Sequence, residues 1–356
     1  MTIATQREAA STLRLAEDDH EQIVVRQDPD TGLRFIVAVH STVLGPALGG
    51  MRLKRYPGGL REALEDVMCL ARTMTLKASA AGLDLGGGKS VMIDDGVREQ
   101  REARLEGAAK VIEGLDGAYI TAEDIGTAPA DMDHLARFTR FVVGRSVDRG
   151  GVGDPSPVTA ESVFQALRLG LEAATGSDGL EGRRIGVVGL GKVGYSLAAR
   201  LVQAGAEVVG CDLDPRRTER FAAENGGEIA PSAEAIMASE LDVLAPCAAG
   251  GLIDEALARS IDCRVVAGAA NNPLTSRSVA RVLAERGILY VPDFLANCGG
   301  LIHVSLEWQG DGTADELIAR AMERLHRAIA TAEAESSTPL EVAERQALER
   351  VEAARR

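Results

Sequence analysis

After an acidic lead, short runs that are alternating or apolar predict strands. EQIVVRQ and LRFIVAVH flank the turn-rich DPDTG, so a β-hairpin is expected near residues 21–40. Farther on, REARLEGAAKVIEGL has helical spacing and precedes the short apolar strand AYI. Between these segments, one helical stripe is expected to belong to the core and to end beside Lys77; it comprises Leu60, Leu64, Val67, Met68, Ala71 and Met74.

The second half of the chain alternates strands with helices. In RRIGVVGLGKVGYSLAARLVQAGAEVVGCDLD, an apolar strand leads through a glycine turn into a helix and a second strand. The apolar runs DVLAPCA, CRVVAGAANN and GILYVPDF continue the alternation, which is typical of a doubly wound parallel sheet. Two helical stretches broken at SSTP are expected from Ala314 onward.

A glycine- and proline-rich segment, GRSVDRGGVGDPSPVTAESVF, separates the two halves, and a new helix is expected near Thr159. A chain of 356 residues exceeds the size at which one core stops growing. We therefore predict an α/β protein with an N-terminal domain at 1–157 and a second domain at 158–329.

Composition changes this picture mainly by what it excludes. The net charge of −14 argues against nucleic acid or an anionic membrane as a partner. The five cysteines include no Cys-x-x-Cys pair and the five histidines show no metal-ligand spacing, so free thiols and no metal site are expected. The start of the chain has no leader pattern, and no long apolar run follows it, which predicts a cytoplasmic protein.

Two lysines lie in an unusual context in MTLKASAAGLDLGGGKS, residues 74–90. Lys77 ends the helical stripe, and Lys89 directly follows Gly86, Gly87 and Gly88. Consecutive glycines indicate positive φ angles or a close approach to another part of the molecule, so Lys89 is expected to point into a cleft. The run resembles a Walker A loop but has one residue too many before Gly-Lys-Ser. A flexible surface loop with a solvated lysine is the alternative.

Two further segments carry candidate site residues. Asp124 in TAEDIGT stands where an apolar strand gives way to Gly126. A carboxylate there is a candidate acid or base, with a helix cap or turn residue as the competing interpretation. The cluster LGPALGGMR, which contains Gly49 and Gly50, is either backbone lining a site or an ordinary loop.

The most specific local signal is a G-x-G-x-x-G motif between a strand and a helix, at Gly189, Gly191 and Gly194. Such glycines permit a tight turn, a close approach to pyrophosphate and close helix packing. Asp212 ends the next strand, where a carboxylate binds the adenosine ribose, which favours NAD over NADP. Binding of a 2′-phosphate by Arg216 and Arg217 is the alternative, but both lie past that strand end and are expected to be solvated. This pattern predicts a Rossmann-type NAD-binding domain.

Asparagines occur near the later strands. Asn271, Asn272 and Asn297 are expected at carboxyl ends of strands, where such sheets bind ligands, with turn formation as the alternative. Cys298 has no adjacent base and is expected to be a core or lining thiol.

Together these motifs resemble the amino-acid dehydrogenase family that includes glutamate, leucine, phenylalanine and valine dehydrogenases. GPALGGMR, MTLKASAAGLDLGGGKS, TAEDIGT, GDPSPVTA, GLGKVG, APCAAGG, GAANN and PDFLANCGG occur in that family's order. The similarity is greatest to the leucine and valine branch. It implies a substrate domain followed by the NAD-binding domain with a cleft between them, a C-terminal helix at about 330–356 that packs back on the first domain, and a homo-oligomer.

The resemblance implies NAD-dependent, reversible oxidative deamination of an apolar L-amino acid. Hydride moves from Cα to the nicotinamide, water attacks the imine, and a 2-oxo acid and ammonia leave. Lys89 is then the catalytic lysine, with Asp124 as its proton partner, and Lys77 binds the substrate carboxylate. Lys89 must be neutral for part of the cycle, and we expect burial and the charge of Lys77 to lower its pKa.

The implied contacts divide into two sets. Substrate contacts are expected at Leu48, Gly49, Gly50, Met74, Lys77, Ala122, Asn272, Leu301 and Val304. Cofactor contacts are expected at Thr159, Gly189, Gly191, Lys192, Val193, Gly194, Asp212, Ala248, Asn272 and Asn297.

The residues expected to contact the substrate side chain exclude glutamate as the substrate. Leu48 and Val304 occupy positions where glutamate dehydrogenases carry a lysine and a serine, so a substrate carboxylate would be buried unpaired. Ala122 resembles leucine and valine enzymes, whereas Leu301 resembles some phenylalanine enzymes. We predict a branched-chain substrate, valine, leucine or isoleucine, with phenylalanine or another aromatic amino acid as the alternative.

An alternative of a different class is an inactive, NAD-sensing regulatory protein on the same fold. Such a protein is expected to have lost a lysine or the aspartate. Lys77, Lys89 and Asp124 are all present.

Overall fold

The structure, a computed structural model, describes residues 11–12, 19–97, 99–248, 250–310 and 312–356. They form two compact units. The first unit runs to Ser79, continues over Leu83–Gly153 and includes Ala354–Arg356, and the second comprises Ala80–Gly82 and Asp154–Ala353. The units part within the glycine- and proline-rich segment, and the domain limits 1–157 and 158–329 stay a prediction.

The first unit is built on a six-stranded mixed sheet. Its strands are β1 (Ser11–Thr12), β2 (Gln22–Asp28), β3 (Leu33–Ser41), β4 (Ala47–Lys54), β5 (Gly86–Ile93) and β6 (Tyr119–Glu123). They lie in the order β1-β2-β3-β5-β4-β6, antiparallel as far as β5 and parallel from β5 through β4 to β6. The predicted hairpin is confirmed by β2 and β3. Because β4 lies between β5 and β6, segments far apart in the chain present neighbouring side chains.

Three helices accompany this sheet: α1 (Gly59–Ala81), α2 (Arg101–Glu113) and α3 (Pro129–Leu135). A row of small and β-branched residues on α1, Ala63, Val67 and Ala71, is fully buried in the core that also contains Val91 of β5. The prediction of one core stripe is therefore only partly right. The half-buried remainder of the stripe is Leu60, Leu64, Met68 and Met74. These residues lie beside the buried row, because only one row of the helix can face the sheet.

The second unit contains six strands, all parallel to their neighbours. They are β7 (Arg184–Val188), β8 (Glu207–Cys211), β9 (Glu228–Ile229), β10 (Val243–Pro246), β11 (Val265–Val266) and β12 (Leu289–Tyr290). Their order is β12-β11-β10-β7-β8-β9. This is the strand order of dinucleotide-binding domains, so the prediction of a Rossmann-type sheet is confirmed.

Helices connect these strands and complete the unit. They are α4 (Ser156–Thr175), α5 (Lys192–Gln203), α6 (Pro215–Asn225), α7 (Ala233–Met237), α8 (Glu255–Ala258), α9 (Ser278–Glu285), α10 (Asp293–Ala296), α11 (Gly299–Gln309), α12 (Ala314–Glu335) and α13 (Pro339–Ala354). Helix α4 begins slightly before Thr159, with Pro157 in its first turn, where a missing N–H costs nothing. No helix in the described ranges combines the length and the apolar character needed to cross a membrane.

The tail consists of two helices, as the SSTP break predicts. Ser336 takes a left-handed conformation, with φ of 53°, after α12. The Thr338 hydroxyl then accepts a hydrogen bond from the Glu341 N–H at 3.2 Å and so caps α13. Ion pairs join α13 to α9, with Arg281 to Glu341 at 2.6 Å, and hold it on the second unit. Only Ala354–Arg356 group with the first unit, and the return of this helix to the first domain stays a prediction.

Candidate active site

Lys89 lies inside β5, and its side chain is only 7% exposed. The three glycines before it are strand residues, and none has the positive φ that a loop would need. Close approach explains them instead: a Cβ on Gly87 would lie 2.0 Å from the Thr75 backbone nitrogen, and one on Gly88 would lie 2.7 Å from Tyr119 Cδ2. The surface-loop alternative is wrong, because α1 and the Tyr119 ring enclose this strand.

Strand β4 passes beside Lys89 with two glycines. Gly50 pairs with Ala122 of β6, and a Cβ on Gly50 would lie 2.7 Å from Asp124 Cβ and 3.1 Å from Lys89 Nζ. A Cβ on Gly49 would meet the Gly88 carbonyl oxygen at 1.8 Å. The segment is thus a strand rather than an ordinary loop. Gly50 keeps the space beside the two charged groups open.

Asp124 follows directly after β6 and binds two cations. Lys89 Nζ lies 3.0 Å from Asp124 Oδ2, and Arg52 Nε donates to the same oxygen at 2.8 Å. The cap interpretation fails, because the residue before α3 is Ala128 and the Asp124 side chain is turned toward the cations. Only its backbone makes the turn, in which Asp124 O accepts from Thr127 N at 3.0 Å.

The surroundings shift the pKa values of both groups downward. Burial is the main reason that the pKa of Lys89 lies below its usual range; the nearby Arg52 cation adds to the effect and Asp124 opposes it. For Asp124, burial by itself would raise the pKa, but Lys89 and Arg52 together outweigh burial and lower it. The site therefore favours a carboxylate beside an amine that loses its proton more readily than an exposed lysine.

The remaining predicted substrate residues are divided between the units. In the first unit, Leu48 and Ala122 are buried on neighbouring strands, whereas Met74 and Lys77 are half-buried on α1. In the second unit, Leu301 and Val304 are buried on α11, and Asn272 is exposed with φ of 49°.

The glycine motif of the second unit has the geometry expected of a phosphate-binding turn. Gly189 has φ of +101°, which makes the tight turn after β7, and a Cβ on Gly194 would lie 2.0 Å from the Gly189 carbonyl oxygen. A Cβ on Gly191, before α5, would find Arg217 Nη1 as its nearest described neighbour, 3.8 Å away. Space is therefore left open at Gly191, where pyrophosphate would approach the helix N-terminus. Val193 is half-buried and Lys192 pairs with Asp154 at 3.2 Å.

Asp212 is anchored to this turn at the end of β8. Its Oδ2 accepts from the Leu190 N–H at 2.8 Å and its Oδ1 accepts from the Asp214 N–H at 2.9 Å. Arg217 Nη1 lies 3.3 Å from Oδ2, and Arg216 pairs with Asp214 at 2.8 Å. Both arginines were expected to be solvated; they are exposed, but each also pairs with a carboxylate.

Asn297 lies one helix farther along than predicted. It follows α10 rather than β12, yet its Nδ2 donates to Ala269 O at 3.1 Å, just past the end of β11, and to Asn271 Oδ1 at 3.0 Å. Its Oδ1 is buried, and no donor among the described residues reaches it. A buried acceptor of this kind fits an amide or hydroxyl donor of a ligand. Cys298 beside it is fully buried, as expected of a core thiol.

The other predicted cofactor residues have local roles in the second unit. Thr159 Oγ1 donates to Pro155 O at 2.9 Å within the first turn of α4. Ala248 follows β10 and packs near the turn, since a Cβ on Gly189 would lie 2.9 Å from Ala248 N. The Asn272 N–H donates to Asp293 Oδ2 at 2.7 Å. All five cysteines are free.

Comparison with protein families decides the relationship. Residues 20–141 match a model described as Glu/Leu/Phe/Val dehydrogenase, dimerisation domain, and residues 213–356 match Glutamate/Leucine/Phenylalanine/Valine dehydrogenase. The chain belongs to this glutamate/leucine/phenylalanine/valine dehydrogenase family. A third model, the NAD binding domain of D-isomer specific 2-hydroxyacid dehydrogenases, matches residues 161–249. The family resemblance drawn from the motifs is confirmed.

Individual members of the family are similar over most of their length. The chain is 42% identical over 306 residues to leucine dehydrogenase of Thermoactinomyces intermedius, which covers 86% of this chain and 81% of that protein. It is 44% identical over 293 residues to valine dehydrogenase of Streptomyces virginiae, covering 82% of each. Among solved structures, L-tryptophan dehydrogenase from Nostoc punctiforme is 30% identical with a TM-score of 0.81, covering 95% of this chain and 97% of that one.

One group at the site of this family member was not found from sequence. Arg52, Asp66 and Tyr56 form a chain of contacts that ends on Asp124. The signal for Arg52 was an arginine that directly follows the apolar and glycine residues of β4, two positions after Gly50 and hence on the same face. Arg52 is also the second cation that lowers the pKa of Lys89, an effect that the sequence interpretation had assigned to Lys77.

Proposed function

We propose that the protein catalyses NAD-dependent, reversible oxidative deamination of a branched-chain L-amino acid to the 2-oxo acid, ammonia and NADH. The observation that carries the proposal is the buried Lys89 at 3.0 Å from Asp124. It occurs in a chain that is 42% and 44% identical to leucine and valine dehydrogenases. An inactive regulatory protein would be expected to have lost a lysine or the aspartate, whereas Lys77, Lys89 and Asp124 are all present.

The second unit fits NAD. In this proposal the pyrophosphate approaches Gly191, where a Cβ would have no described neighbour nearer than 3.8 Å, and Asp212 at the end of β8 accepts from the adenosine ribose. The buried Oδ1 of Asn297, which has no donor among the described residues, supports a contact with a donor of the cofactor or substrate. NAD, when bound, accepts the hydride from the substrate Cα.

The chain's own residues carry the proton transfers. Lys89 in its neutral form takes a proton from the water that attacks the substrate carbon, since its lowered pKa makes the neutral amine accessible. Asp124, 3.0 Å from Lys89, exchanges protons with that lysine and with the departing ammonia. Lys77 pairs with the substrate carboxylate. These groups supply orientation and charge stabilisation.

The two positions that the family resemblance assigns to the substrate side chain support an apolar substrate. Leu48 in the first unit and Val304 in the second are each buried and carry no charge or hydrogen-bonding group. A substrate carboxylate beside either residue would lose its hydration without a partner, a cost well above the ~1–3 kcal/mol that one methylene contributes. Among apolar amino acids, the leucine and valine dehydrogenase relatives favour a branched chain, whereas Leu301 and the L-tryptophan dehydrogenase neighbour favour an aromatic one.

Association and location complete the proposal. The match of residues 20–141 to a dimerisation domain supports a homo-oligomer, which light scattering on the purified protein would measure as a multiple of 37.4 kDa. A monomer at assay concentration would contradict it. The cytoplasmic location rests on the five free cysteines and is testable by fractionation.

The deciding experiment measures NADH formation at alkaline pH with L-valine, L-leucine, L-isoleucine, L-phenylalanine and L-glutamate, each with NAD or NADP. Fastest turnover on a branched-chain substrate with NAD is expected. Preference for phenylalanine would move the substrate to the aromatic class. NAD binding without turnover of any amino acid would contradict the proposed enzymatic activity and favour an NAD-sensing regulatory protein.

A further inference from the structure

Arg52 connects the proposed proton-transfer pair to the body of the first unit. It lies on β4, and its side chain is 15% exposed. Its Nε donates to Asp124 Oδ2 at 2.8 Å, while its Nη1 donates to Asp66 Oδ2 at 3.2 Å. One guanidinium therefore joins a carboxylate of the site to a carboxylate of α1.

Asp66 is held from a second direction. The Tyr56 hydroxyl donates to Asp66 Oδ2 at 2.6 Å, and Tyr56 is itself 6% exposed in the core. The planar guanidinium is thereby fixed at both ends, which a flexible ammonium could not reproduce. Lys89 and Arg52 reach the same oxygen of Asp124, so the position of Arg52 limits where that carboxylate can go.

We propose that Arg52 is a positioning residue for the deamination: anchored by Asp66 and Tyr56, it fixes the Asp124 carboxylate against Lys89 and places a second positive charge beside that lysine. This inference rests on the proposed function. Arg52 needs no contact with substrate or cofactor for this role. It acts through the two groups that exchange protons.

The charges around Lys89 set the direction of the expected pH effect. They are Asp124 after β6, Arg52 on β4 and Asp66 on α1, and Tyr56 and Tyr119 lie within electrostatic reach of Asp124. After burial, the Arg52 cation lowers the pKa of Lys89, and it also lowers the pKa of Asp124 against the effect of burial. Loss of that cation must therefore raise both pKa values. Because neutral Lys89 is the active form, the acidic limb of the rate profile should move to higher pH.

The test compares Arg52→Gln and Arg52→Lys with a matched control. Arg61→Gln removes an arginine from the same unit whose side chain is 89% exposed and pairs only on the surface with Glu65. The readouts are kcat and KM for the best amino acid between pH 7 and 11, with thermal unfolding and NAD binding as checks of folding.

For Arg52→Gln, we expect kcat to fall about 10- to 100-fold, the loss typical of a misplaced catalytic group. The KM of the amino acid should change little, and the acidic limb should move to higher pH. Arg52→Lys keeps the positive charge, so the acidic limb of its rate profile should stay at the wild-type pH. Its kcat should fall, because an ammonium cannot bind Asp124 and Asp66 at once in the fixed geometry of a guanidinium. Arg61→Gln should match the wild type throughout.

Two results would overturn the role of Arg52. One is a kcat and pH limb in Arg52→Gln equal to those of Arg61→Gln, and the other is a raised KM with unchanged kcat, which would make Arg52 a substrate-binding group. If Arg52→Gln fails to fold, Arg52→Lys becomes the deciding variant. A wild-type kcat in Arg52→Lys would show that the bidentate guanidinium is not needed and would contradict the proposed role. A wild-type enzyme without amino-acid turnover would instead contradict the proposed function.

Discussion

Glycine triplets occur in both units, at Gly86, Gly87 and Gly88 before Lys89 and at Gly189, Gly191 and Gly194 around the start of α5. The first triplet is extended strand, and each missing Cβ makes room for other protein atoms within 2.7 Å. In the second triplet, Gly189 has a positive φ of 101°, and a Cβ on Gly191 would have no described neighbour nearer than 3.8 Å. Glycine thus permits close packing around a buried lysine in one unit and leaves room beside a helix N-terminus in the other.

This difference predicts separate kinetic signatures. Changes in the first unit should affect kcat and the binding of the amino acid. Changes at the turn of the second unit should affect the binding of NAD and leave the chemical step in place.

The largest effect is expected for Lys89→Ala. Loss of the general base should lower kcat by about 10³-fold, within the range for such groups, while NAD binding measured by fluorescence should be retained. Lys110→Ala is the matched control, because that lysine is 68% exposed on α2. A Lys89→Ala enzyme with wild-type turnover would contradict the role of Lys89 as the general base.

Lys77→Ala should act on substrate binding. Removal of a charged hydrogen-bond partner costs about 1.5–3 kcal/mol, so KM for the amino acid should rise about 10- to 100-fold with a smaller change in kcat. Steady-state kinetics with saturating NAD measure both constants. A large loss of kcat at unchanged KM would place Lys77 in the chemistry instead.

A pair of glycine variants tests the comparison directly. Gly191→Ala adds a methyl group at an ordinary contact distance, 3.8 Å from Arg217 Nη1, so stability should be retained while KM for NAD rises about 10-fold, equal to about 1.4 kcal/mol of binding. Gly88→Ala adds the same group 2.7 Å from the Tyr119 ring, which is held by a 2.6 Å hydrogen bond to Gly49 O. Overpacking there should cost about 1–3 kcal/mol of folding free energy.

Thermal unfolding and NAD titration of both variants separate the two cases. An unstable Gly191→Ala protein, or a Gly88→Ala protein as stable as the wild type, would contradict the distinction between the triplets.

The smallest effect is expected for Asp212→Asn. Replacing a charged acceptor by a neutral one should cost about 1 kcal/mol of NAD binding, or about 5-fold in KM. Use of NADP should improve, because the negative charge nearest to Arg217 would be removed and only the longer contact with Asp214, at 4.0 Å, would remain. The ratio of kcat/KM for NAD and NADP measures this, with Asp178→Asn, a surface partner of Arg168, as the control. An unchanged ratio would remove Asp212 from cofactor selection.

Sequence patterns predicted most where the relevant residues are close along the chain. The hairpin, the glycine turn with its flanking strand and helix, and the SSTP break all depend on neighbours within a few positions. The burial of Lys89 was also expected from its three glycines, although the reason is close packing and not a turn. Asn297 was misplaced by one helix, because α10 is a single short turn that periodicity does not detect.

The sequence by itself determined the family, the dinucleotide-binding turn and the identity of Lys89 and Asp124 as candidates, because each is carried by a local motif. Only the tertiary structure decided that Arg52 joins Asp124 to Asp66, over separations of 72 and 14 positions. It also decided which row of α1 faces the sheet. The physical reason is the strand order β5-β4-β6: contacts across strands depend on which segments pair and in what register, and neither is written in the spacing of residues along the chain.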